Sequence, residues 1–175
     1  GNKGAYSESD PVHPLSVYAQ SKVDAERILQ KSNSDNWSIV RTIIVYGNGE
    51  KLSRGNLIVW AKETLLSGQS MNIVNDQFRA PTWADDLAWA CIRICELSKK
   101  GIFHIAGPET LSVYDIVCRI ADYFACDKSL IVPISSSTLN QAAKRPAKTG
   151  FNLTKARAQL GYNPKTLEQT LGLLE

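Results

Sequence analysis

The alternation of strand-like and helix-like segments constrains the fold of this chain more than any other feature of its sequence. Short runs rich in β-branched residues alternate with longer segments of helical periodicity, and glycine or proline separates many of them. The strand-like runs lie at residues 38–46, 71–74, 102–105 and 130–134. The helix-like segments lie at about residues 15–31, 56–66, 85–98, 112–124, 154–161 and 166–174. This order predicts an α/β fold.

Local sequence adds detail to several of these segments. The run at residues 38–46 is nearly continuous in its apolar character, which predicts a strand buried on both faces. Residues 76–83 are predicted to form a loop, because Pro81 is incompatible with a helix interior. Thr154 is predicted to cap the short helix that Gly161 ends. One side of the first helix carries the apolar residues Val17, Ala25, Ile28 and Leu29.

Length and charge exclude several classes of function. The chain has 175 residues, enough for one domain with a core, or for a small domain with part of another. Its 20 basic and 17 acidic residues are spread along the chain, which argues against a nucleic-acid partner. The sequence has no apolar stretch near 18 residues and no signal-like beginning, so neither a membrane partner nor export is expected.

The four cysteines indicate a reducing compartment rather than a disulfide framework. Their spacing is not that of a disulfide-rich domain, so we expect reduced thiols and a cytoplasmic location. Cys91 and Cys95 are four residues apart and resemble half a metal site. The sequence offers only two imidazole partners, His13 and His104, so we expect core packing of the cysteines and no metal.

Tyr18 and Lys22 form the clearest candidate for chemistry. They are four residues apart at the start of a predicted helix, so they share one face of it. A nearby ammonium stabilises a phenolate, which brings the pKa of a tyrosine from about 10 toward neutral. The alternative is a half-exposed pair on a solvated surface, and the pair alone does not decide between the two.

Other catalytic patterns are missing from the sequence. No glycine-rich dinucleotide loop and no Walker loop opens a strand–turn–helix unit, and Gly47-Asn48-Gly49 is interpreted as a turn. The sequence has no Gly-x-Ser-x-Gly motif. Asp85 and Asp86 open a helix, where they suit its dipole without any catalytic role.

Five segments, taken in order, resemble one family over almost the whole chain. They are residues 6–26 with Tyr18-Ala19-Gln20-Ser21-Lys22, residues 41–47, residues 74–88 with Arg79-Ala80-Pro81-Thr82, residues 101–107, and residues 145–153. Together they resemble the extended short-chain dehydrogenase/reductases, in particular the dTDP-4-dehydrorhamnose reductase branch. The resemblance implies the C-terminal part of a Rossmann-like enzyme with its small mixed α/β substrate-binding domain.

The resemblance also implies a division of the chain into domains. Residues 1–50 would complete the Rossmann-like domain, and residues 51–175 would mostly form the substrate domain, with residues 76–105 returning to the first. The family's glycine-rich loop and catalytic Ser or Thr would lie in an N-terminal half that this sequence does not contain. We therefore expect no turnover by these 175 residues alone.

The activity implied by the resemblance is NAD(P)-dependent reduction of a 4-keto nucleotide sugar. Tyr18 would be the general acid, and Lys22 would lower its pKa and bind the ribose of NADP or NAD. Thr42 and Ile43 would lie near the nicotinamide. In this superfamily the active-site helix often lies in a dimer interface, so a homodimer is one expected assembly.

Five residues are the implied substrate contacts: Ile44, Asn56, Gln77, Arg79 and Arg145. The arginines match positions where nucleotide-sugar epimerases bind diphosphate, a task for which the planar guanidinium is suited. Two positions depart from the reductases, which carry tryptophan at Ile44 and usually glycine at Arg79.

Other members of the superfamily remain as alternatives. The regulatory β subunit of methionine adenosyltransferase also resembles this chain in its Tyr-x-x-x-Lys pair, in its arginine at the Arg79 position and near Lys51-Leu52. A non-catalytic NADP-binding subunit is therefore one alternative, and a nucleotide-sugar epimerase or dehydratase is another.

Overall fold

The computed structural model describes residues 3–48, 56–139 and 145–174. Its helices are α1 (Val17–Gln30), α2 (Leu57–Leu66), α3 (Ala84–Glu96), α4 (Val113–Tyr123), α5 (Thr154–Leu160) and α6 (Leu167–Leu171). Its strands are β1 (Ser38–Arg41), β2 (Val45–Tyr46), β3 (Met71–Val74), β4 (Phe78–Arg79), β5 (Thr82–Trp83), β6 (Gly101–His104), β7 (Leu111–Ser112) and β8 (Ile131–Ile134). The predicted α/β alternation is therefore present.

Strand pairing is mostly parallel and joins segments that are distant in sequence. β1 pairs with β6, β2 with β5 and β3 with β8, all in parallel, whereas β4 and β7 are antiparallel. Parallel pairs need crossover connections, and the intervening helices supply them. In the β1–β6 register, Arg41 lies opposite His104.

Side-chain caps explain where most helices begin. Ser16 accepts a hydrogen bond from the backbone of Ala19 at the start of α1, and Asn56 accepts two from the first turn of α2. The predicted end of α5 at Gly161 is confirmed by its left-handed φ of 74°. The predicted Thr154 cap is wrong by one residue: Leu153 occupies the cap position, and Thr154 begins the helix.

The prediction of one buried strand over residues 38–46 is wrong. β1 ends at Arg41 and is only half-buried, and β2 begins at Val45 in a different sheet. Between them Ile44 has a φ of 36°, which is uncommon for a β-branched residue and turns the chain. The backbone N–H of Thr82 donates to the carbonyl of Ile44, and its hydroxyl donates to that of Ile43. These two bonds stabilise the bend.

The prediction of an unbroken loop over residues 76–83 is also wrong. Two short strands, β4 and β5, lie inside it, because each finds a distant partner that local sequence does not reveal. Pro81 lies between them, so no strand hydrogen bond is lost there.

Apolar burial divides into two clusters. One contains the inner faces of α2, α4 and α6 with β3, and the other contains the inner faces of α3 and α5 with Phe103 and Ile105 at β6. In the first cluster the Tyr46 hydroxyl lies 2.6 Å from that of Thr170.

The surface holds two departures from the sequence predictions. Cys91 and Cys95 are exposed, so their predicted core packing is wrong; Cys118 and Cys126 are half-buried. In α1 the apolar residues Val17 and Ile28 are largely exposed, and Val23 is the buried one.

The described residues include neither a membrane-spanning helix nor a metal-binding cluster. No helix among them is long and apolar enough to cross a membrane. No cluster of three or more His, Cys, Asp or Glu side chains in that part of the chain is arranged to hold a metal ion.

Candidate functional site

A cavity of about 460 Å³ lies where the N-terminal loop, α1, the bend after β1 and β4 meet. Ala19 and Val23 of α1 form one wall, and residues 41–44 form another. The other lining residues include Asp10, His13, Arg79, His104 and Phe151. A volume of this size is typical of a small-molecule site.

Tyr18 and Lys22 lie beside this cavity, on α1, but do not line it. Their helix neighbours Ala19 and Val23 do line it. Tyr18 is 72% exposed, and the Lys22 ammonium lies over the phenol ring, 5.3 Å from the ring centroid. The predicted pair therefore shares one exposed helix face, with the cation within cation–π distance.

The bend after β1 brings three of the predicted residues to the cavity. Thr42, Ile43 and Ile44 all line it. The Thr42 hydroxyl donates to that of Thr82 over 3.2 Å, which connects the bend to β5.

Arg79 is the cavity's buried cation. It is 7% exposed, and its guanidinium donates to the carbonyls of Phe78 and Ala147 and to the side-chain oxygen of Gln77. Burial lowers the pKa of Arg79, and the positive charge of Arg145 acts in the same direction. Among the residues that the structure describes, neither arginine has a carboxylate within ion-pairing distance.

The other predicted substrate contacts, Gln77, Arg145 and Asn56, differ in burial and in their position relative to the cavity. Gln77 is buried and accepts the hydrogen bond from Arg79, and Arg145 is exposed. Asn56 caps α2 through its side-chain oxygen and is not among the cavity-lining residues. Gly49, Lys51 and Leu52 lie outside the described residues.

A charged cluster that the sequence did not reveal as a site forms part of the cavity wall, through Arg41 and His104. Arg41 forms a two-point ion pair with Glu26, with N···O distances of 2.8 and 2.6 Å. Another guanidinium nitrogen of Arg41 lies 3.4 Å from Nε2 of His104. Glu26, one turn after Lys22, was part of the family resemblance, but its partner is distant in sequence.

His104 is a buried histidine at the end of β6. It is 1% exposed and stacks on Phe151 with a centroid separation of 3.9 Å. Its Nδ1 donates to the carbonyl of Tyr6, and its backbone N–H donates to Glu8. Burial lowers the pKa of His104, and the charge of Arg41 also lowers it, against the opposing effect of Glu8.

Comparison with known proteins gives one family over nearly the whole chain. The model of the RmlD substrate binding domain matches residues 1–174. A dTDP-4-dehydrorhamnose reductase of Aggregatibacter actinomycetemcomitans is 32% identical, over 96% of this chain and 59% of its own. The methionine adenosyltransferase 2 subunit beta of Xenopus laevis is 30% identical, over 95% of this chain and 50% of its own.

Solved structures give the same fold. The dTDP-4-dehydrorhamnose reductase of Bacillus anthracis, in complex with NADP, superposes with a TM-score of 0.83 at 22% identity, over 96% of this chain and 58% of that one. The chain thus spans between half and three fifths of the length of these three relatives.

Proposed function

The chain belongs to the RmlD substrate binding domain family, and from this premise we propose that the protein carrying it reduces a 4-keto nucleotide sugar with NADPH or NADH. The predicted fold and family are confirmed. The reaction rests on the relatives named dTDP-4-dehydrorhamnose reductase and on the chemistry of the cavity. Its place of action would be the cytoplasm.

The observation that carries this proposal is the buried Arg79 guanidinium at the cavity. A desolvated cation is costly unless an anion compensates it, and no described carboxylate does so. Arg145 adds a second positive charge nearby. An anionic ligand would supply the compensation, and the diphosphate of a nucleotide sugar matches the planar fork of arginine.

Tyr18 and Lys22 would perform the proton transfer. When bound, the nicotinamide would supply the hydride to the carbonyl carbon of the sugar. The Tyr18 hydroxyl would then give its proton to the carbonyl oxygen, and Lys22 would stabilise the phenolate that remains. Both side chains are exposed on one helix face, so they are accessible to a cofactor.

Only part of the cofactor would contact this chain. The ammonium of Lys22 and the hydroxyl of Tyr18 suit the ribose hydroxyls, and Thr42 and Ile43 would border the nicotinamide. The sequence holds no glycine-rich pyrophosphate loop, so these residues would bind the cofactor together with another part of the protein.

The experiment that tests this function is an NADPH-oxidation assay with the full-length protein. The substrate is a dTDP-4-keto-6-deoxy sugar, and the loss of reduced-nicotinamide absorbance is followed. We expect turnover that requires the keto sugar. Absence of oxidation across a panel of 4-keto nucleotide sugars, with either cofactor, would contradict the proposal.

A second candidate function is a non-catalytic regulatory subunit. Several relatives are named methionine adenosyltransferase 2 subunit beta, and the one from Pongo abelii is 32% identical over 95% of this chain. The arginine at position 79 resembles that of the β subunit, and Ile44 departs from the tryptophan that the reductases carry. Co-elution of the full-length protein with a methionine adenosyltransferase catalytic subunit, without keto-sugar reduction, would favour this function.

A further inference from the structure

Glu26 and Arg41 connect the helix that carries Tyr18 and Lys22 to the strand that leads into the cavity. Nε and one terminal nitrogen of Arg41 each donate to a different oxygen of Glu26. Both side chains are 18% exposed, so the pair is only partly hydrated. A two-point guanidinium–carboxylate contact fixes direction as well as distance, which a single-point contact does not.

This ion pair joins α1 to β1 directly through two charge-assisted hydrogen bonds. In the whole of this helix Val23 is the one buried residue, so apolar packing holds α1 weakly. Glu26 lies one turn after Lys22 and two turns after Tyr18. Fixing Glu26 therefore fixes the rotation of the helix about its axis, and with it the direction in which Lys22 projects.

The other side of Arg41 reaches the loop wall of the cavity. Its remaining terminal nitrogen lies 3.4 Å from Nε2 of His104. Because the Tyr6 carbonyl accepts from Nδ1, Nε2 of the neutral ring is the acceptor that faces Arg41. Glu8 accepts from the backbone of His104 and ties the same loop to β6.

We propose that Arg41 is a positioning residue: through Glu26 it orients Tyr18 and Lys22, and through His104 it holds the loop that lines the cavity. Arg41 also precedes Thr42 in sequence. One side chain therefore fixes the position of the proposed proton donor, Tyr18, relative to the cavity wall that would lie nearest the nicotinamide. This inference rests on the proposed reductase function for its catalytic consequence. The orientation of α1 by the Glu26–Arg41 ion pair does not depend on the reductase function.

The test uses the full-length protein with Glu26→Gln and Arg41→Lys. Each variant keeps the size and polarity of the side chain but weakens the two-point ion pair. Asp24→Asn is the matched control, because it makes the same carboxylate-to-amide change on the same helix in an exposed pair with Arg27. Three quantities are measured: kcat and KM for the keto sugar, and the hydrogen exchange of the amides of α1 and α4.

For Glu26→Gln we expect kcat to fall at least about tenfold with KM nearly unchanged, since a displacement of about 1 Å costs on the order of 100-fold in rate. Exchange should rise in α1 and stay constant in α4. Arg41→Lys, which keeps the positive charge, should retain more activity than a further variant, Arg41→Met, which removes it. Unchanged kcat in Glu26→Gln, or a fall in kcat without faster exchange in α1, overturns the proposal.

The two proposals fail in different ways. If the wild-type protein shows no reduction of keto sugars, the reductase function fails while the exchange of α1 still tests Arg41. Faster exchange confined to α1 in Glu26→Gln, with Asp24→Asn unchanged, then supports the positioning role. Equal exchange of the α1 amides in the wild-type, Glu26→Gln and Asp24→Asn proteins overturns the positioning role of Arg41, whatever the activity.

Discussion

The guanidinium of Arg79 donates a hydrogen bond of 3.0 Å to the side-chain oxygen of Gln77. Both side chains are buried, and Arg79 lines the cavity. Two further bonds from Arg79, to the carbonyls of Phe78 and Ala147, are internal to the protein. The guanidinium is therefore oriented before any ligand arrives, which lowers the entropy cost of binding an anion.

Arg79→Lys should weaken the binding of a nucleoside diphosphate. Lysine keeps the charge but loses the planar fork, and the loss of one charge-assisted hydrogen bond predicts a Kd about tenfold higher or more. Isothermal titration of the full-length protein with dTDP measures the change. Arg93→Lys, in an exposed pair with Glu96, is the control. Equal affinity of the Arg79→Lys and wild-type proteins would contradict a role for Arg79 in anion binding.

Tyr18→Phe should remove turnover and spare the cofactor. The substitution deletes the proposed proton donor, and general acid catalysis is worth on the order of 100- to 10,000-fold in rate. Because Tyr18 is exposed, its loss should not unfold the protein. Single-turnover reduction and NADPH binding are measured separately, with Tyr123→Phe, an exposed tyrosine of α4, as the control. Full activity of Tyr18→Phe would be incompatible with its role as the acid.

Features of the fold that depend on local sequence were predictable. The end of α5 at Gly161 and the strand Met71–Val74 follow from nearby residues. Local rules failed at residues 42–44, because two hydrogen bonds from Thr82, about 40 residues away, stabilise the bend. Propensity alone favours a continuous strand there.

The candidate site shows the same division between local and distant causes. Tyr18 and Lys22 could be proposed as a pair from sequence because they are neighbours on one helix. The contact of Arg41 with Glu26 was not predicted, because the two residues lie on different elements. Its approach to His104 was not predicted either, because it depends on the pairing of β1 with β6. The exposure of Cys91 also could not be predicted, because both faces of its helical segment carry apolar residues.

The buried phenol of Tyr46 should make the protein sensitive to alkaline pH. Thr170 donates its hydroxyl proton to the Leu167 carbonyl, so the Tyr46 hydroxyl is the donor to Thr170. Burial raises the pKa of Tyr46 from 10.0 to about 12. The unfolded chain loses its proton first, so stability is complete below pH 10 and is lost as the pH rises toward 12.

The expected loss from Tyr46 is roughly 2–3 kcal/mol between these pH values. Urea unfolding of the wild-type protein and of Tyr46→Phe, measured at several pH values from neutral upward, tests it. The variant should be less stable by about 1 kcal/mol at neutral pH, because it loses one hydrogen bond. It should then lose less stability on the way to high pH, and the remaining loss would include the contribution of Tyr162, whose pKa burial also raises. Parallel curves for both proteins would contradict the prediction.

Gly107 is the glycine whose replacement should most disturb the cavity. A Cβ at this position would collide with the carbonyl oxygen of Pro81, which belongs to the segment between β4 and β5. Because the obstacle is backbone, the collision is relieved only by moving that segment and, with it, Arg79. Gly107→Ala should therefore reduce both stability and anion binding.

Gly172→Ala provides the control for Gly107→Ala. At Gly172 an added Cβ would meet the Tyr123 hydroxyl, the far end of an exposed side chain that can move aside, and φ is an ordinary −72°. We expect a loss of about 1–3 kcal/mol or more for Gly107→Ala and a change of about 0.5 kcal/mol or less for Gly172→Ala. Thermal unfolding with and without dTDP measures both effects. If Gly107→Ala keeps wild-type stability and affinity, the close approach of Gly107 to Pro81 does not hold Arg79 in place.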